Sequence, residues 1–294
     1  MKLKVTIGIF TVAFLAFFLL LHANGQFSND NTYSDTALWY GNSEPIKETE
    51  NKTSKVDPKD ESGINGSIFE ICKPAPLVGV SEQIVRKTSY IVSYNKDTKI
   101  PNWVAWQLTA EHTDGSLKRM NNFHEDEDCP LPRATLQDYK GSGWSRGHMC
   151  PAGDNKWDSE AMYDSFSLVN VCPQNSKLNS GLWNSIEMDC RKWARKYGDI
   201  YIVCGPVLMR DEHETIGENE VVVPEAFFKV VLCLTGSPKG LGVIVRNTDG
   251  NKKHDLYYNS IDQVERITGY DFFPSLPDDI EEEVEAHANL EDWK

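Results

Sequence analysis

The stretch that decides the fold is SRGHMCPAGD, residues 145–154, which is followed further along the chain by LNSGLW, residues 178–183. The first stretch places Arg146 and His148 at alternate positions, so in an extended segment their side chains project to the same side. The second stretch places Asn179 directly ahead of a segment with helical periodicity. Together they predict an extended segment with two functional side chains, followed by a helix that begins beside a polar amide.

The clearest helical pattern in the chain covers residues 181–197. Its apolar residues recur at steps of three and four positions, which is the spacing of one face of an α-helix. Gly198 follows the pattern and predicts the end of the helix, because glycine readily adopts the backbone conformation that terminates one. The apolar face consists of Trp183, Ile186, Cys190, Trp193, Ala194 and Tyr197.

Short apolar runs with strand-like alternation surround this helix and predict a sheet. A second helix is predicted to follow Asp158, a favoured N-cap residue, and a last helix over residues 261–267 ends at Gly269. Strands joined by short turns and interleaved with helices favour an α+β fold with a largely antiparallel central sheet and flanking helices. The predicted strands are residues 89–94, 103–108, 168–172, 199–204, 226–234 and 241–246.

The charge of the chain is unevenly distributed. The chain has 294 residues and a formal net charge of -14, which at first argues against a polyanionic substrate. Residues 278–294 contain eight acidic side chains against one lysine, and residues 26–66 contain eight against four basic ones. The remaining body is only mildly acidic, and it can therefore still contain a local basic groove.

The N-terminus has the pattern of an export signal. Lys2 and Lys4 precede an apolar run over residues 5–21, and small residues follow it up to Gly25. An uncleaved signal anchor is the alternative, because the run approaches the ~17–25 residues that span a bilayer. A mitochondrial transit peptide fits less well, since the segment lacks arginine and is apolar all round. The sequence therefore predicts an exported protein, secreted or periplasmic, or one anchored to a membrane through residues 5–21.

The remaining segments predict one catalytic domain with tails. Residues 1–25 are the predicted signal peptide or anchor, and residues 26–66 form a polar linker that is expected to be disordered. Residues 67–277 are predicted to form the domain, and residues 278–294 an acidic tail. The tail has the spacing of a short helix through Ile280 and Val284. A solvated run of charges is commoner for such a composition and is the expected structure. The sequence leaves the oligomeric state open.

The seven cysteines indicate buried thiols more than a metal site. An exported chain permits disulfides, and the odd count leaves at least one thiol unpaired within a monomer. Cys172, Cys204 and Cys233 lie in strand-like apolar runs and are expected to be buried. Cys72 and Cys129 lie in irregular sequence and form the weakly favoured disulfide. The spacing does not predict a zinc site.

The residue types in the two opening stretches suit phosphodiester hydrolysis. This reaction needs a general base, a cation that neutralises developing charge, and a donor that holds the phosphate. His148 has the right chemistry for the base, Arg146 for the donor, and the amide oxygen of Asn179 for a magnesium ligand. Each also has an ordinary explanation. Asn179 is a good helix N-cap, and a single histidine is more often a core or surface residue than a catalyst.

Several motifs in fixed order resemble one family. Over roughly residues 80–275 the chain resembles the DNA/RNA non-specific endonuclease family. The resemblance is carried by motifs that run from Arg146-Gly147-His148 to Thr268-Gly269-Tyr270. That family belongs to the ββα-metal, or His-Me finger, nucleases. The motifs between these two are PAGD at 151–154, NVCPQ at 170–174, LNSGLW at 178–183, CGP at 204–206 and VPEAFFK at 223–229, with GSG at 141–143 preceding them. The resemblance implies an α+β domain with a ββα-metal active-site motif.

Matched position by position, the resemblance implies a complete site. His148 is the implied general base and Asn179 the implied metal ligand. Glu187 matches the acidic residue that supports the metal through water, although an ion pair with Arg191 one turn later is the competing interpretation. Arg146 matches the signature arginine, and Arg119 the upstream arginine that contacts phosphate.

The implied cofactor is Mg²⁺, with Mn²⁺ as the alternative, and no organic cofactor is expected. The implied substrate is DNA, RNA or both, cut without sequence specificity, because contacts to phosphate and sugar carry little base preference. The resemblance also implies products with 5′-phosphate ends.

One position departs from the family signature. Ser145 stands where the signature has aspartate, so a fixed negative charge is missing beside the site. We expect lower or differently metal-dependent activity before we expect none, because the base and the metal ligand are both present. The alternative function is a catalytically weakened nucleic-acid-binding or interaction protein on the same scaffold.

Overall fold

The computed structural model describes residues 70–294. The predicted signal segment 1–25, with its apolar run 5–21, and the predicted polar linker 26–66 lie outside these residues. Among the helices of residues 70–294, none combines the length and the apolar character needed to cross a membrane.

An antiparallel sheet of seven strands forms the centre of the described part. The strands of residues 70–294 are β1 (Gln83–Arg86), β2 (Ile91–Asn95), β3 (Ile100–Leu108), β4 (Ser145–His148), β5 (Val171–Gln174), β6 (Ile200–Val207), β7 (Thr215–Ile216), β8 (Val221–Val222), β9 (Ala226–Cys233), β10 (Lys239–Arg246) and β11 (Tyr258–Asn259). The sheet order is β1-β2-β3-β6-β9-β10-β11, and every neighbouring pair is antiparallel. Two separate ribbons pair β4 with β5 and β7 with β8. The predicted α+β class with a largely antiparallel sheet is confirmed.

Six α-helical segments follow β3 in the described residues, and residues 70–72 are also helical. The six segments are α1 (Leu136–Tyr139), α2 (Ser159–Ser165), α3 (Ser176–Leu178), α4 (Asn184–Tyr197), α5 (Ile261–Thr268) and α6 (Asp278–Ala286). A π-helical turn, Asn179–Trp183, joins α3 to α4. Asp158 caps α2 by accepting hydrogen bonds from two backbone amides, and Gly269 ends α5 in the left-handed conformation. Both features match the sequence prediction.

Two predicted elements begin later than the sequence indicated. The strand predicted over residues 168–172 begins only at Val171, because Leu168–Asn170 forms a 3-10 turn. The side-chain amide of Asn170 donates to the carbonyl of Ser165, which holds the chain in this turn. The α-helix predicted over residues 181–197 begins at Asn184, after the π-helical turn, and ends as predicted at Gly198.

Both faces of the central sheet are covered, because adjacent side chains of a strand point to opposite faces. Phe227 in β9 lies 5.6 Å from Trp183, on the face that carries α4 and the β4-β5 ribbon. Its neighbour Phe228 lies 5.4 Å from Phe272, on the face that carries α5. The residues of the predicted site all belong to the first of these faces or to the loops around it.

The C-terminal segment 278–294 is not a solvated charge run. It forms α6 and a 3-10 turn, Leu290–Trp293, and its apolar residues Val284 and Trp293 are buried. The Trp293 ring lies 4.7 Å from that of Trp193 in α4, and the Tyr197 hydroxyl donates to the carbonyl of Asp292. The expectation of a solvated tail is wrong, because the burial of Val284 and Trp293 holds the segment against the domain while most of its carboxylates remain exposed.

All seven cysteines are buried as free thiols. The weakly favoured disulfide between Cys72 and Cys129 is not formed, and the Cys72 thiol instead lies 3.9 Å from the carbonyl oxygen of Trp106. Irregular sequence around the two cysteines was therefore a misleading sign of a disulfide. The prediction that Cys172, Cys204 and Cys233 are buried in strands agrees with the structure.

We expect Glu285→Gln to stabilise the protein at alkaline pH. The carboxylates of Asp262, Glu265 and Glu285 lie within 4.8 Å of one another between α5 and α6. Burial, and then repulsion from Glu265 and Glu281, raises the pKa of Glu285 to about 9. The folded state therefore holds a proton that the unfolded state releases near pH 4.5. This contribution to stability is complete below that pH and disappears as the pH rises towards 9.

The measurement is the melting temperature between pH 5 and pH 9. Glu285→Gln should flatten its decline at the alkaline end, whereas Glu283→Gln, an exposed residue of the same helix, should leave the decline as in wild type. Equal curves for both variants would show that the carboxylate cluster does not influence stability.

Candidate active site

The β4-β5 ribbon carries the first two predicted site residues. Its register pairs Arg146 with Pro173 and His148 with Val171. Beyond His148 the ribbon is closed by Asn170, whose side-chain oxygen accepts from the backbone amide of Cys150 and whose side-chain amide donates to the Cys150 carbonyl, both at 2.8 Å. This two-way clamp fixes the direction in which β4 leaves the ribbon, and with it the position of His148.

We expect Gly147→Ala to destabilise this ribbon. Gly147 stands between Arg146 and His148, and a methyl group there would overlap the fully buried side chain of Gln174. Overpacking of this kind costs about 1–3 kcal/mol of unfolding free energy, which urea denaturation measures. Gly181→Ala is the matched control, because nothing lies within 4 Å of the added methyl group. An equal effect of the two substitutions would contradict the close packing at Gly147.

Asn179 is not the N-cap of the helical segment that follows β5. Asn175 fills that role, because its side-chain oxygen accepts from the backbone amides of Lys177 and Leu178. Asn179 lies one turn later with helical backbone angles, at the start of the π-helical turn. Its side chain makes no hydrogen bond within the described residues, so the amide oxygen is available for a ligand. The competing explanation of Asn179 as a cap therefore does not apply.

The helical segment is tied directly to the strand that carries His148. The indole nitrogen of Trp183 donates to the carbonyl oxygen of His148 over 3.4 Å. Two strands and a helix thus pack together as a ββα unit, with Asn179 on the helical part and His148 on β4. This is the arrangement that the family resemblance implies.

The His148 imidazole is held in an apolar slot. Its ring lies 5.1 Å from Phe123 and 5.0 Å from Phe166, and the side chain is almost fully buried. Its Nε2 atom is buried without a hydrogen-bond partner among the described residues. Burial, followed by the positive charges of Arg119 and Arg146, lowers the pKa of His148 to about 3. The imidazole is therefore neutral at physiological pH.

A polar groove of about 550 Å³ lies beside this slot. It brings together three of the predicted site residues, Arg119, Arg146 and Asn179, and the departing residue Ser145 also lines it. The Arg146 guanidinium lies 4.3 Å from the centre of the Phe123 ring, and that of Arg119 lies 5.4 Å from the Phe166 ring. The two rings that enclose His148 thus also orient the two arginines. The remaining lining residues are Phe123, Leu136, Tyr139, Lys140 and Trp144.

Glu187 does not line the groove. It lies on α4, partly exposed, and burial raises its pKa to about 7 while the ammonium group of Lys229 opposes the rise. The ion pair with Arg191 that competed for this residue is not the one formed, because the Arg191 guanidinium binds Asp154 over 2.7 Å. The arrangement leaves the Glu187 carboxylate without a direct ion-pair partner among residues 70–294.

Sequence reasoning missed a buried charged network beneath the site. Lys229 is fully buried in β9, with its ammonium group 4.9 Å from the Trp106 ring and 4.7 Å from the Trp183 ring. The Trp106 indole nitrogen donates to Asp154, the carboxylate that Arg191 binds. The signal was present in the sequence, since Lys229 is the one charged residue in the apolar run AFFKVVLC.

The side chains around the groove fit a hard divalent cation. Asn179 offers a neutral amide oxygen to such an ion. Magnesium takes few protein ligands and keeps several waters, so a single amide oxygen is sufficient as the direct contact.

Comparison with known proteins identifies the family. The pattern of the DNA/RNA non-specific endonucleases matches residues 69–279. Mitochondrial nuclease EXOG of Xenopus laevis is 36% identical over 221 residues, which are 69% of this chain and 61% of that protein. Mitochondrial endonuclease G of Bos taurus is 34% identical over 215 residues, which are 68% of this chain and 72% of that protein. The chain spans 59–61% of the length of the EXOG relatives.

A solved structure shows the same fold. The crystal structure of the EndoG/EndoGI complex, which concerns the inhibition of EndoG, superposes with a TM-score of 0.67 at 26% identity. The match covers 74% of this chain and 95% of the compared chain.

The expectation of an exported or membrane-anchored protein is wrong. It is contradicted by the EXOG and endonuclease G relatives, which are named as mitochondrial proteins. The prediction rested on the lysine-flanked apolar run 5–21, which lies outside the described residues.

The family predicted from the sequence motifs is confirmed, since its pattern covers most of the chain and relatives above 30% identity match over more than two thirds of it. The chain belongs to the DNA/RNA non-specific endonuclease family.

Proposed function

We propose that the protein is a divalent-metal-dependent endonuclease that hydrolyses phosphodiester bonds of DNA, RNA or both. The observation that carries the proposal is the meeting of Arg119, Arg146 and an uncommitted Asn179 in one groove beside a neutral His148. Family membership supports the same activity. A base, contacts to the phosphate oxygens and an oxygen ligand for the cation are the functions that a single-cation hydrolase requires from its side chains.

In this proposal each residue has one task. His148 would accept the proton of the attacking water, because its imidazole is neutral and packs against Phe123, a residue that lines the groove. Arg146 and Arg119 hold non-bridging phosphate oxygens and keep the phosphate in line with the attack. Asn179 would hold the cation, and Glu187 would orient the waters around it. A bound Mg²⁺ or Mn²⁺ would neutralise the charge that develops on the phosphate.

The apolar slot contributes to this mechanism. Phe123 and Phe166 exclude solvent from the imidazole, which keeps His148 unprotonated. The same rings lie against the two arginines, so the base and the phosphate contacts share one rigid frame. Positioning of this kind lowers the entropy that the reaction must lose to reach its transition state.

We further propose that the domain extends through the C-terminal helix to residue 294, and that the protein acts in mitochondria. The first proposal is supported by the packing of Val284 and Trp293. The second is supported by the names of the EXOG and endonuclease G relatives. Cell fractionation with a C-terminal tag tests the location, and recovery of the tagged protein only in the medium would contradict it.

The direct test of the activity is digestion of supercoiled plasmid and of single-stranded RNA by the purified protein. We expect cutting with Mg²⁺ or Mn²⁺ and none in EDTA. The ends should carry 5′-phosphates, so polynucleotide kinase should label them only after phosphatase treatment. Absence of cutting with both metals, or equal cutting in EDTA, would contradict the proposal.

Ser145 supports a second candidate function, a nucleic-acid-binding protein with weakened catalysis. It lines the groove next to Arg146 and brings no negative charge to the cation site. A protein of this kind would retain DNA on a filter but leave a plasmid uncut with either metal. Binding together with cutting would exclude it.

A further inference from the structure

A second concave surface lies on the other side of the segment that carries Asn179. It has a volume of about 310 Å³ and is formed by the helical residues Lys177, Gly181 and Ser185 on one wall. The loop of residues 249–254 forms the opposite wall. Asn179 lines the catalytic groove and Gly181 lines this surface, so the two concave surfaces share the same helical turn. We call the second one the loop surface.

The loop is fixed relative to Asn179. At its base the buried Asn247 accepts from the backbone amide of Asn175 and donates to the carbonyls of Pro173 and Pro224. Further along, the Lys177 ammonium group binds the Asp249 carboxylate over 3.1 Å. These contacts join the loop to both ends of the connection between β5 and the metal-binding helical segment. The base of the loop therefore has a fixed position beside the helical segment that carries Asn179.

The loop surface is basic in a chain whose net charge is -14. Lys252 and Lys253 are exposed, and neither forms an ion pair within the described residues. The one acidic residue of the surface, Asp249, is already neutralised by Lys177. The ammonium groups of Lys252 and Lys253 are thus left unpaired at the loop surface, where they attract anions.

The backbone of the surface is also open to a close approach. Gly181 and Gly250 both have free space where a side chain would stand, with nothing within 4 Å of an added methyl group. A ligand can therefore reach the polypeptide between the lysines. A chain of phosphodiesters fits this description, because its charges are regularly spaced and its contacts are mostly to phosphate oxygens.

We propose that Lys252 and Lys253 bind backbone phosphates of the nucleic acid beyond the scissile phosphate. The proposal rests on the proposed function for the nature of the substrate. The loop surface then acts on substrate retention and not on the chemical step. Long substrates gain affinity from it, whereas a substrate too short to leave the catalytic groove gains none.

The test compares Lys252→Ala/Lys253→Ala with wild type and with Lys96→Ala/Lys99→Ala. The control pair removes the same charge from the turn between β2 and β3, which borders neither surface. Binding of a fluorescent 30-nucleotide DNA and of the matching RNA is measured by anisotropy in EDTA at several salt concentrations. Cleavage of the same strands and of a trinucleotide is measured with Mg²⁺.

We expect the Lys252/Lys253 variant to bind the long strands more weakly, with a salt slope smaller by about 1.4, because each lost phosphate contact to a single strand removes ~0.7. Its trinucleotide cleavage should equal that of wild type. Weaker binding of both nucleic acids, or of one alone, would support the proposal and identify which nucleic acid the loop surface binds. Unchanged binding and an unchanged slope would overturn it. Failure of wild type itself to cut any strand would instead overturn the proposed function.

Discussion

Replacing His148 by alanine is expected to lower kcat/KM for plasmid cleavage by about 10²–10⁴, the usual contribution of a general base. The reason is specific to this site. The depressed pKa of His148 keeps its imidazole neutral, and its Nε2 atom has no hydrogen-bond partner among the described residues. Adding imidazole to the variant should restore part of the activity, because the substitution leaves a cavity between Phe123 and Phe166.

His112→Ala is the matched control for this substitution. His112 is a partly buried histidine stacked on Trp157 at 4.3 Å, and it does not line the groove. The control should therefore retain wild-type kcat/KM. Circular dichroism and the melting temperature separate lost catalysis from lost structure. A His148→Ala protein that is folded and cuts as fast as His112→Ala would remove His148 from the mechanism.

Replacing Asn179 by alanine is expected to weaken divalent-metal binding by more than the ~10–100-fold that loss of an outer hydrogen-bond partner of a metal ligand costs. Asn179 is the predicted direct contact, so its loss should raise the Mn²⁺ concentration needed for half-maximal cutting. Asn179→Asp keeps an oxygen ligand at the same place and should bind the metal better than the alanine variant. Titration calorimetry with Mn²⁺ alone measures the effect independently of turnover.

Asn184→Ala provides the comparison for Asn179. Asn184 is an exposed asparagine at the start of α4, and its side chain reaches only Met188. Removing it should leave Mn²⁺ binding unchanged. Equal Mn²⁺ affinity of wild type and the Asn179→Ala protein would show that the cation binds elsewhere.

The elements that carry the proposed site residues could be predicted in part, because these residues are local in sequence. Arg146 and His148 lie in the predicted extended segment, which is β4, and Glu187 lies in the predicted helix. Asn179 was predicted to precede that helix and lies within the helical segment instead. Which asparagine caps the helix could not be decided this way. Asn175 and Asn179 are both suitable in type, and only the observed hydrogen bonds of Asn175 assign the cap.

The features that the sequence did not predict depend on contacts between distant parts of the chain. Lys229, Asp154 and Arg191 come from a strand, a 3-10 turn and a helix, and no local pattern indicates that they meet around Trp106 and Trp183. The same holds for the C-terminal helix. Its acidic composition favoured a solvated tail, and the burial of Trp293 against Trp193 became visible only in three dimensions.

The central claim is that His148 and Asn179 act together on one phosphate. The most direct measurement is single-turnover plasmid nicking with Mg²⁺ by wild type, His148→Ala, Asn179→Ala and the double variant. Residues that act as a unit show strongly non-additive losses. Each single substitution should nearly abolish nicking, and the double variant should be hardly slower than the slower single variant. Single variants that nick at the wild-type rate, or losses that simply multiply in the double variant, would contradict it.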